Sequence, residues 1–310
     1  LPPSQLVRAN GWIEGLTIAS IILGVLLGGQ LVGPQLAPRL LGLDLPGLHS
    51  GIDTPAEAAI ASLVLVYAIA AAINLRIPHT GVRMRPLPAR TLSLLPDFWR
   101  CNARLWRDKL GQISLATTTL FWGVSGNMRY IVLAWAAAAL HYSTTQAAGL
   151  VGVVAIGTAA GAVLASLRVR LDRAIAVMPL GILMGALVVL MVFIDRLWLA
   201  VPLLILMGAL GGYIVVPMNA LLQHRGHNLM GAGRSIAVQN FNEQACILGL
   251  GALYSASTGA GLSAFGAIAL FGGVVMAFML LIQRWHRHNL RRYPGKVERL
   301  LNIARRDRGH

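Results

Sequence analysis

The sequence predicts an all-α polytopic membrane protein with about eight transmembrane helices. Three observations carry this. Hydrophobic residues fill 56% of the 310 positions and charged residues only 12%, against about 25% charged in an ordinary soluble domain. The apolar residues fall in blocks long enough for helices that cross a bilayer core. The basic residues lie between the blocks and alternate in density from one connection to the next. In lipid every backbone N–H and C=O must be paired within its own segment, so each block reads as helix.

The spans cover approximately residues 12–33, 55–75, 112–140, 147–167, 174–194, 198–222, 237–256 and 262–283. The third is long for a bilayer, which implies tilt or a part outside the hydrocarbon. Of the 26 Lys and Arg, 23 fall on one side. They are Arg8, eight residues of the 76–111 connection, Arg168, Arg170, Arg173, Arg225, Arg234 and nine residues of the tail. Arg39 and Arg196 fall on the other side, and Arg129 lies within a span. Positive-inside then places both ends and the 76–111 connection in the cytoplasm. An even number of spans requires the same.

The external connection 34–54, with Pro34, Pro38 and Pro46, reads as ordered turn. The basic connection 76–111 contains residues 91–110, where Phe98, Trp99, Leu105 and Trp106 alternate with Arg100, Arg104, Arg107 and Lys109. Two readings stand: an amphipathic helix at the headgroups, or a linker that only sets topology. The tail from residue 284 reads as cytoplasmic and disordered beyond Tyr293. Glycine pairs four apart, Gly24/Gly28, Gly29/Gly33, Gly157/Gly161, Gly181/Gly185 and Gly208/Gly212, predict close helix crossings.

Ionisable and amide side chains inside spans are costly and mark cavities or partners. Arg129 lies deep in the third span, where it either clamps a phosphate or carboxylate by its planar fork or pairs with an acid on another helix. Asn127 precedes it on the same segment. Glu243 sits in Gln239-Asn240-Phe241-Asn242-Glu243-Gln244, a polar run that must line a cavity or meet other helices. It suits a headgroup, a coupled proton or sodium ion, or a bond to a neighbouring helix. Glu14 stands near the cytoplasmic mouth of the first span, as a gate, an end-cap or a substrate contact. Asn219 and Gln223 share a helix face at i and i+4 after Pro217, which can kink the helix. They are a gating hinge or satisfied buried amides.

The net charge of +15 belongs to topology rather than to nucleic-acid binding. Cys101 and Cys246 suggest neither a disulfide nor a metal site. His224 and His227 flank Arg225 in what reads as a short polar turn. No phosphate-cradling Gly-Lys-Ser/Thr run, Cys/His cluster or local Ser/His/Asp signature is present, so no cofactor is expected and enzyme activity is not. A membrane lipid enzyme would instead gather His and acids at one interface.

Four segments resemble the bacterial lysophospholipid transporter family of the major facilitator superfamily. They are Leu6-Val7-Arg8-Ala9-Asn10-Gly11, Phe121 to Tyr130 with Arg129, Val216-Pro217-Met218-Asn219-Ala220-Leu221-Leu222-Gln223, and Ala237-Val238-Gln239-Asn240 with Glu243. The family has twelve helices in two halves, and the eight spans resemble helices five to twelve. The resemblance implies a partial major facilitator bundle: residues 1–75 as the last two helices of the first half, 76–111 as the basic inter-half linker, 112–283 as the six-helix second half and 284–310 as the tail. The first four helices are expected to be missing from this chain. Glu14 and Glu243 then occupy equivalent places in the two halves.

The resemblance further implies alternating-access transport of lysophosphatidylethanolamine and lysophosphatidylglycerol from the outer to the inner leaflet of the bacterial inner membrane. An acyltransferase/acyl-carrier-protein synthetase there re-acylates them. Arg129 matches the family's substrate-associated arginine, with Glu14, Asn127, Gln239, Asn240 and Glu243 shaping the polar path and a coupling ion left open. Another facilitator-type exporter of amphipathic compounds is the second reading.

Overall fold

The computed structural model describes residues 3–32, 54–77 and 94–306. Among them lie ten α-helices: α1 (Pro3–Val32), α2 (Pro55–Asn74), α3 (Leu94–Arg107), α4 (Gly111–Ala139), α5 (Thr144–Arg168), α6 (Leu180–Leu190), α7 (Leu197–Met230), α8 (Ala232–Gly259), α9 (Ala264–Arg292) and α10 (Pro294–Arg306). Helix starts are written locally. Thr54 with Glu57, and Ser143 with Gln146, form reciprocal capping boxes at α2 and α5, each satisfying two otherwise orphaned donors. The Ser263 hydroxyl accepts from Gly266 N–H at α9. Gly231, at φ 85°, separates α7 from α8, a backbone conformation that favours glycine.

Among the described residues five stretches are long and apolar enough to cross a membrane: Glu57–Asn74, Gln146–Arg168, Leu171–Phe193, Leu197–Met230 and Ala264–Arg292. Helices α1, α4 and α8, of 30, 29 and 28 residues, exceed the roughly 20 residues a crossing needs. The described residues of the eight expected spans are thus largely helical, and the chain is an all-α polytopic membrane protein.

Two compact units divide the chain: Leu1–Ile18 with Leu92–His310, and Ala19–Thr91. In the first, α5 and α7 make the most extensive contact. A Cβ at Gly157 or Gly161 would strike the Ile205 or Ala209 carbonyl, and one at Gly208 or Gly212 would strike that of Val154 or Thr158. The glycines on each helix receive the other's backbone, the close approach that small-residue pairs permit. Gly181 and Gly185 receive Met279 and the backbone of Met276 on α9. Nothing lies within 4 Å of a Cβ at Gly24. Gly33 and the expected external turn 34–53 lie outside the described residues. Trp135, Ile131, Leu204 and Phe271 are among the fully buried side chains of the core.

Three expectations are corrected. The fifth span is not one helix: 3-10 turns at Leu171–Val177 and Met191–Phe193 flank the short α6. The sixth continues eight residues beyond 222, so His224, Arg225 and His227 belong to α7 rather than to a loop. The physical reason is a buried ion pair. Arg225 Nη2 donates to Asp108 Oδ2 at 2.7 Å and Nε to Oδ1 at 3.1 Å, with the two side chains only 5% and 9% exposed. The same carboxylate accepts from Gly111 N–H at 2.7 Å, capping α4.

The tail is the third correction, since α10 is helical from Pro294 to Arg306. Its Val297 and Ala304 are buried, and Arg305 Nε donates to Asp172 Oδ2 at 3.3 Å. Tyr293 carries Lys109 and Lys296 over its ring at 4.4 and 5.5 Å. The Arg305–Asp172 and Lys109–Tyr293 contacts lie far apart in sequence, beyond what a basic composition reveals.

The segment 91–110 contains a strongly amphipathic helix, α3. Its buried face, Cys101 and Leu105, packs with Leu115, Leu222 and Val238 of α4, α7 and α8. Leu94, Leu95 and Trp99 stay exposed. Asp97 binds Arg234 at 2.8 Å, and Phe98, Trp99 and Phe241 meet edge to face. The face turned to protein is therefore at least as defined as any turned to headgroups.

Candidate functional site

Helix α8 carries its polar run through the middle of unit one, and the run is shared among three directions. Gln239 and Glu243, one turn apart, face inward. Gln239 Nε2 donates to Glu243 Oε1 at 2.8 Å and to Asn219 Oδ1 of α7 at 3.1 Å. Asn242 turns toward α3, donating to Asn102 at 2.9 Å and accepting from Trp106 Nε1 at 3.2 Å. Asn240 and Gln244 are exposed. A run that wraps a helix necessarily distributes in this way at 100° per residue.

Helix α7 ties this cluster to α1. After the buried Pro217, Asn219 and Gln223 stand on one face. Asn219 takes the Gln239 amide, while Gln223 exchanges two hydrogen bonds with Asn10 of α1, at 2.9 and 3.1 Å. Glu14 lies one turn beyond Asn10 and is buried. Each flanking helix therefore presents an amide and, four residues on, an acid: Asn10 and Glu14 on α1, Gln239 and Glu243 on α8. Among the described residues neither acid is in an ion pair. Asn10 was missed by sequence reasoning. Its signal was the spacing to Glu14, which matches that of Gln239 to Glu243.

Arg129 and Asn127 lie elsewhere. Helices α4 and α8 run parallel in contact: Gly123 abuts Cys246 and Leu250, Gly126 abuts Ile247, and Asn127 abuts Gly251. That register puts Glu243 level with about residue 120, so Arg129 is some nine residues, or ~13 Å, farther along the bundle. Asn127 is buried and donates to Gly123 O at 2.8 Å and Ile247 O at 3.0 Å. Both of its N–H groups are thus occupied, one within α4 and one in joining α4 to α8. Arg129 is exposed, beside exposed Ser125, Gly126 and Tyr130, and makes no ion pair among the described residues. The structure therefore gathers Glu14, Asn219, Gln239 and Glu243, with Gln223 beside them, and leaves Arg129 on a separate exposed surface.

Among the described residues no group of three or more His, Cys, Asp or Glu could hold a metal ion. The two cysteines are unpaired.

Long apolar helices around buried amides and acids define a multi-pass membrane protein whose polar groups face one another within the bundle. Among curated proteins the chain is similar to the lysophospholipid transporter LplT of Yersinia pestis (strain Pestoides F) and to that of Yersinia pseudotuberculosis serotype O:3 (strain YPIII). Each is 34% identical over 252 residues, which is 81% of this chain and 57% of the relative. The chain thus spans somewhat over half the length of the relatives it matches. These relatives are named as transporters and not as enzymes. No family model matches, and no solved structure does.

Proposed function

We propose that this chain carries out, as part of a major facilitator bundle, the transport of lysophospholipids. The observation that supports it most is the 34% identity over 252 residues to proteins named lysophospholipid transporters. In this reading residues 1–75 end the first half, 76–111 link the halves, 112–283 form the second half and 284–310 are a cytoplasmic tail. The protein resides in the bacterial inner membrane with both ends of the chain in the cytoplasm.

Lysophosphatidylethanolamine and lysophosphatidylglycerol move from the outer to the inner leaflet, where an acyltransferase/acyl-carrier-protein synthetase consumes them. The halves rock about the substrate. Arg129, exposed and free of an ion pair among the described residues, holds the headgroup phosphate by a charge-assisted, bidentate contact. Asn240 lies on the exposed side of α8 and continues the polar path. Asn127 fixes the α4–α8 spacing beside it. Glu14, Gln239 and Glu243 form a deeper polar wall, which suits the ethanolamine ammonium or a coupling proton or sodium ion. Pro217, lacking an N–H, loosens α7 where Asn219 and Gln223 hold the neighbouring helices.

The test is uptake of labelled lysophosphatidylethanolamine by proteoliposomes, with unrelated amphiphiles in parallel, for wild type and Arg129→Ala. Selective lysolipid movement lost in the variant supports the reading. Movement of amphipathic drugs without lysolipid favours the exporter. Lysolipid movement unchanged in the variant removes Arg129 from the mechanism.

A further inference from the structure

A polar concavity lies away from the buried cluster, at the end of the bundle where the basic residues collect. The start of α1, the end of α5, the 3-10 turn at Leu171–Val177 and the end of α10 enclose a cavity of about 280 Å³. Its lining includes Arg8, Arg168, Arg170 and Arg305, against the single acid Asp172. Asp172 is divided between two of these arginines, accepting from Arg170 and Arg305 at 3.3 Å each. Arg8 and Arg168 have no ion-pair partner among the described residues. Four guanidinium groups with one carboxylate leave the cavity strongly positive.

The walls are closely packed. Val7 and Ala304 are buried, and a Cβ at Gly11 would strike Ser166, so α1 is seated directly on α5. One rim is apolar and open, because Leu167 is 74% exposed. The volume is just under the ~300 Å³ at which small-molecule sites begin. It therefore accommodates a phosphate with a small substituent rather than a whole lipid, with Leu167 beside any acyl chain that leaves it.

We propose that this cavity holds the phosphate of an anionic phospholipid of the adjacent leaflet, gripped by Arg8 and Arg168 and steadied by the Arg170–Asp172–Arg305 triad. The lipid is retained, not transported, so the inference is independent of the transport reading. Guanidinium groups suit a phosphate diester because their planar forks match its oxygens. Basic pockets between membrane helices on the cytoplasmic side recognise such headgroups. The bound phosphate would join α1 to the Leu171–Val177 turn and to α10, which the shared carboxylate links to each other.

The experiment is native mass spectrometry of the full chain in mild detergent, titrated with phosphatidylglycerol, phosphatidylcholine or glycerol phosphate. Thermal unfolding is followed in the same samples. We expect phosphatidylglycerol adducts and a raised unfolding temperature in wild type. Affinity should fall about fivefold for each of Arg8→Gln and Arg168→Gln, given roughly 1 kcal/mol per basic residue at an anionic surface. The double variant R287Q/R291Q removes equal charge from the end of α9 and should retain binding. Equal binding of phosphatidylcholine, or equal weakening by R287Q/R291Q, would overturn the proposal. So would stabilisation by glycerol phosphate as large as that by phosphatidylglycerol, which would assign the cavity to a soluble anion. Both arginines are exposed and outside any described ion pair, so an unfolded R8Q/R168Q protein would itself contradict the structure.

Discussion

Asn10 and Gln223, 213 residues apart, exchange two hydrogen bonds between their side-chain amides. Asn10 Nδ2 also donates to Leu6 O at 2.8 Å. Truncating either partner leaves the other with unmet polar atoms in an apolar setting, which costs about 1–3 kcal/mol. Asn10→Ala and Gln223→Ala should each lower stability by that amount. The double variant should lose less than the sum, because the second change removes a group already orphaned. Chemical or thermal unfolding in detergent reads the cycle, and simple additivity would show that the pair is not coupled.

The Asp108–Arg225 pair should be the most sensitive polar contact in the fold. Removing one partner strands a buried charge, at about 3–5 kcal/mol. Asp108→Ala should be worse than Arg225→Ala, because it also uncaps α4 at Gly111 and Leu110. Yield of monodisperse protein by size-exclusion chromatography, together with unfolding temperature, tests the order.

Glycines on α5 should divide sharply. Gly157→Ala and Gly161→Ala drive a methyl into the backbone of α7, and overpacking of this kind costs about 1–3 kcal/mol or more. A Cβ at Gly149 or Gly152 meets nothing within 4 Å, so alanine there should be neutral or stabilising by up to about 1 kcal/mol. Unfolding temperatures of the four single variants check this.

Arg129 and Asn127, two residues apart, should respond in opposite ways. Asn127→Ala removes one hydrogen bond between α4 and α8 and one within α4, and should lower stability by about 1–3 kcal/mol. Arg129→Ala should leave stability within about 0.5 kcal/mol, as for an exposed side chain without partners, while lysolipid uptake falls. A large stability loss at Arg129 would mark it as structural.

Composition, block length and charge alternation determined that this chain is helical and that it is made for a membrane, because the bilayer imposes those constraints on each segment separately. The polar residues of the bundle were legible for the same reason, since an amide or acid inside an apolar block is conspicuous by itself. What each one meets was not. Whether Glu243 faces Asn219 or lipid, and whether Arg129 pairs with an acid, depends on helix rotation and register. The order in α10 and the helical extension through Arg225 likewise rest on Asp172 and Asp108, which bind Arg305 and Arg225 from more than 100 residues away. Tertiary structure decided these points, because packing α5 against α7 and α4 against α8 fixes helix rotations that a local pattern leaves free.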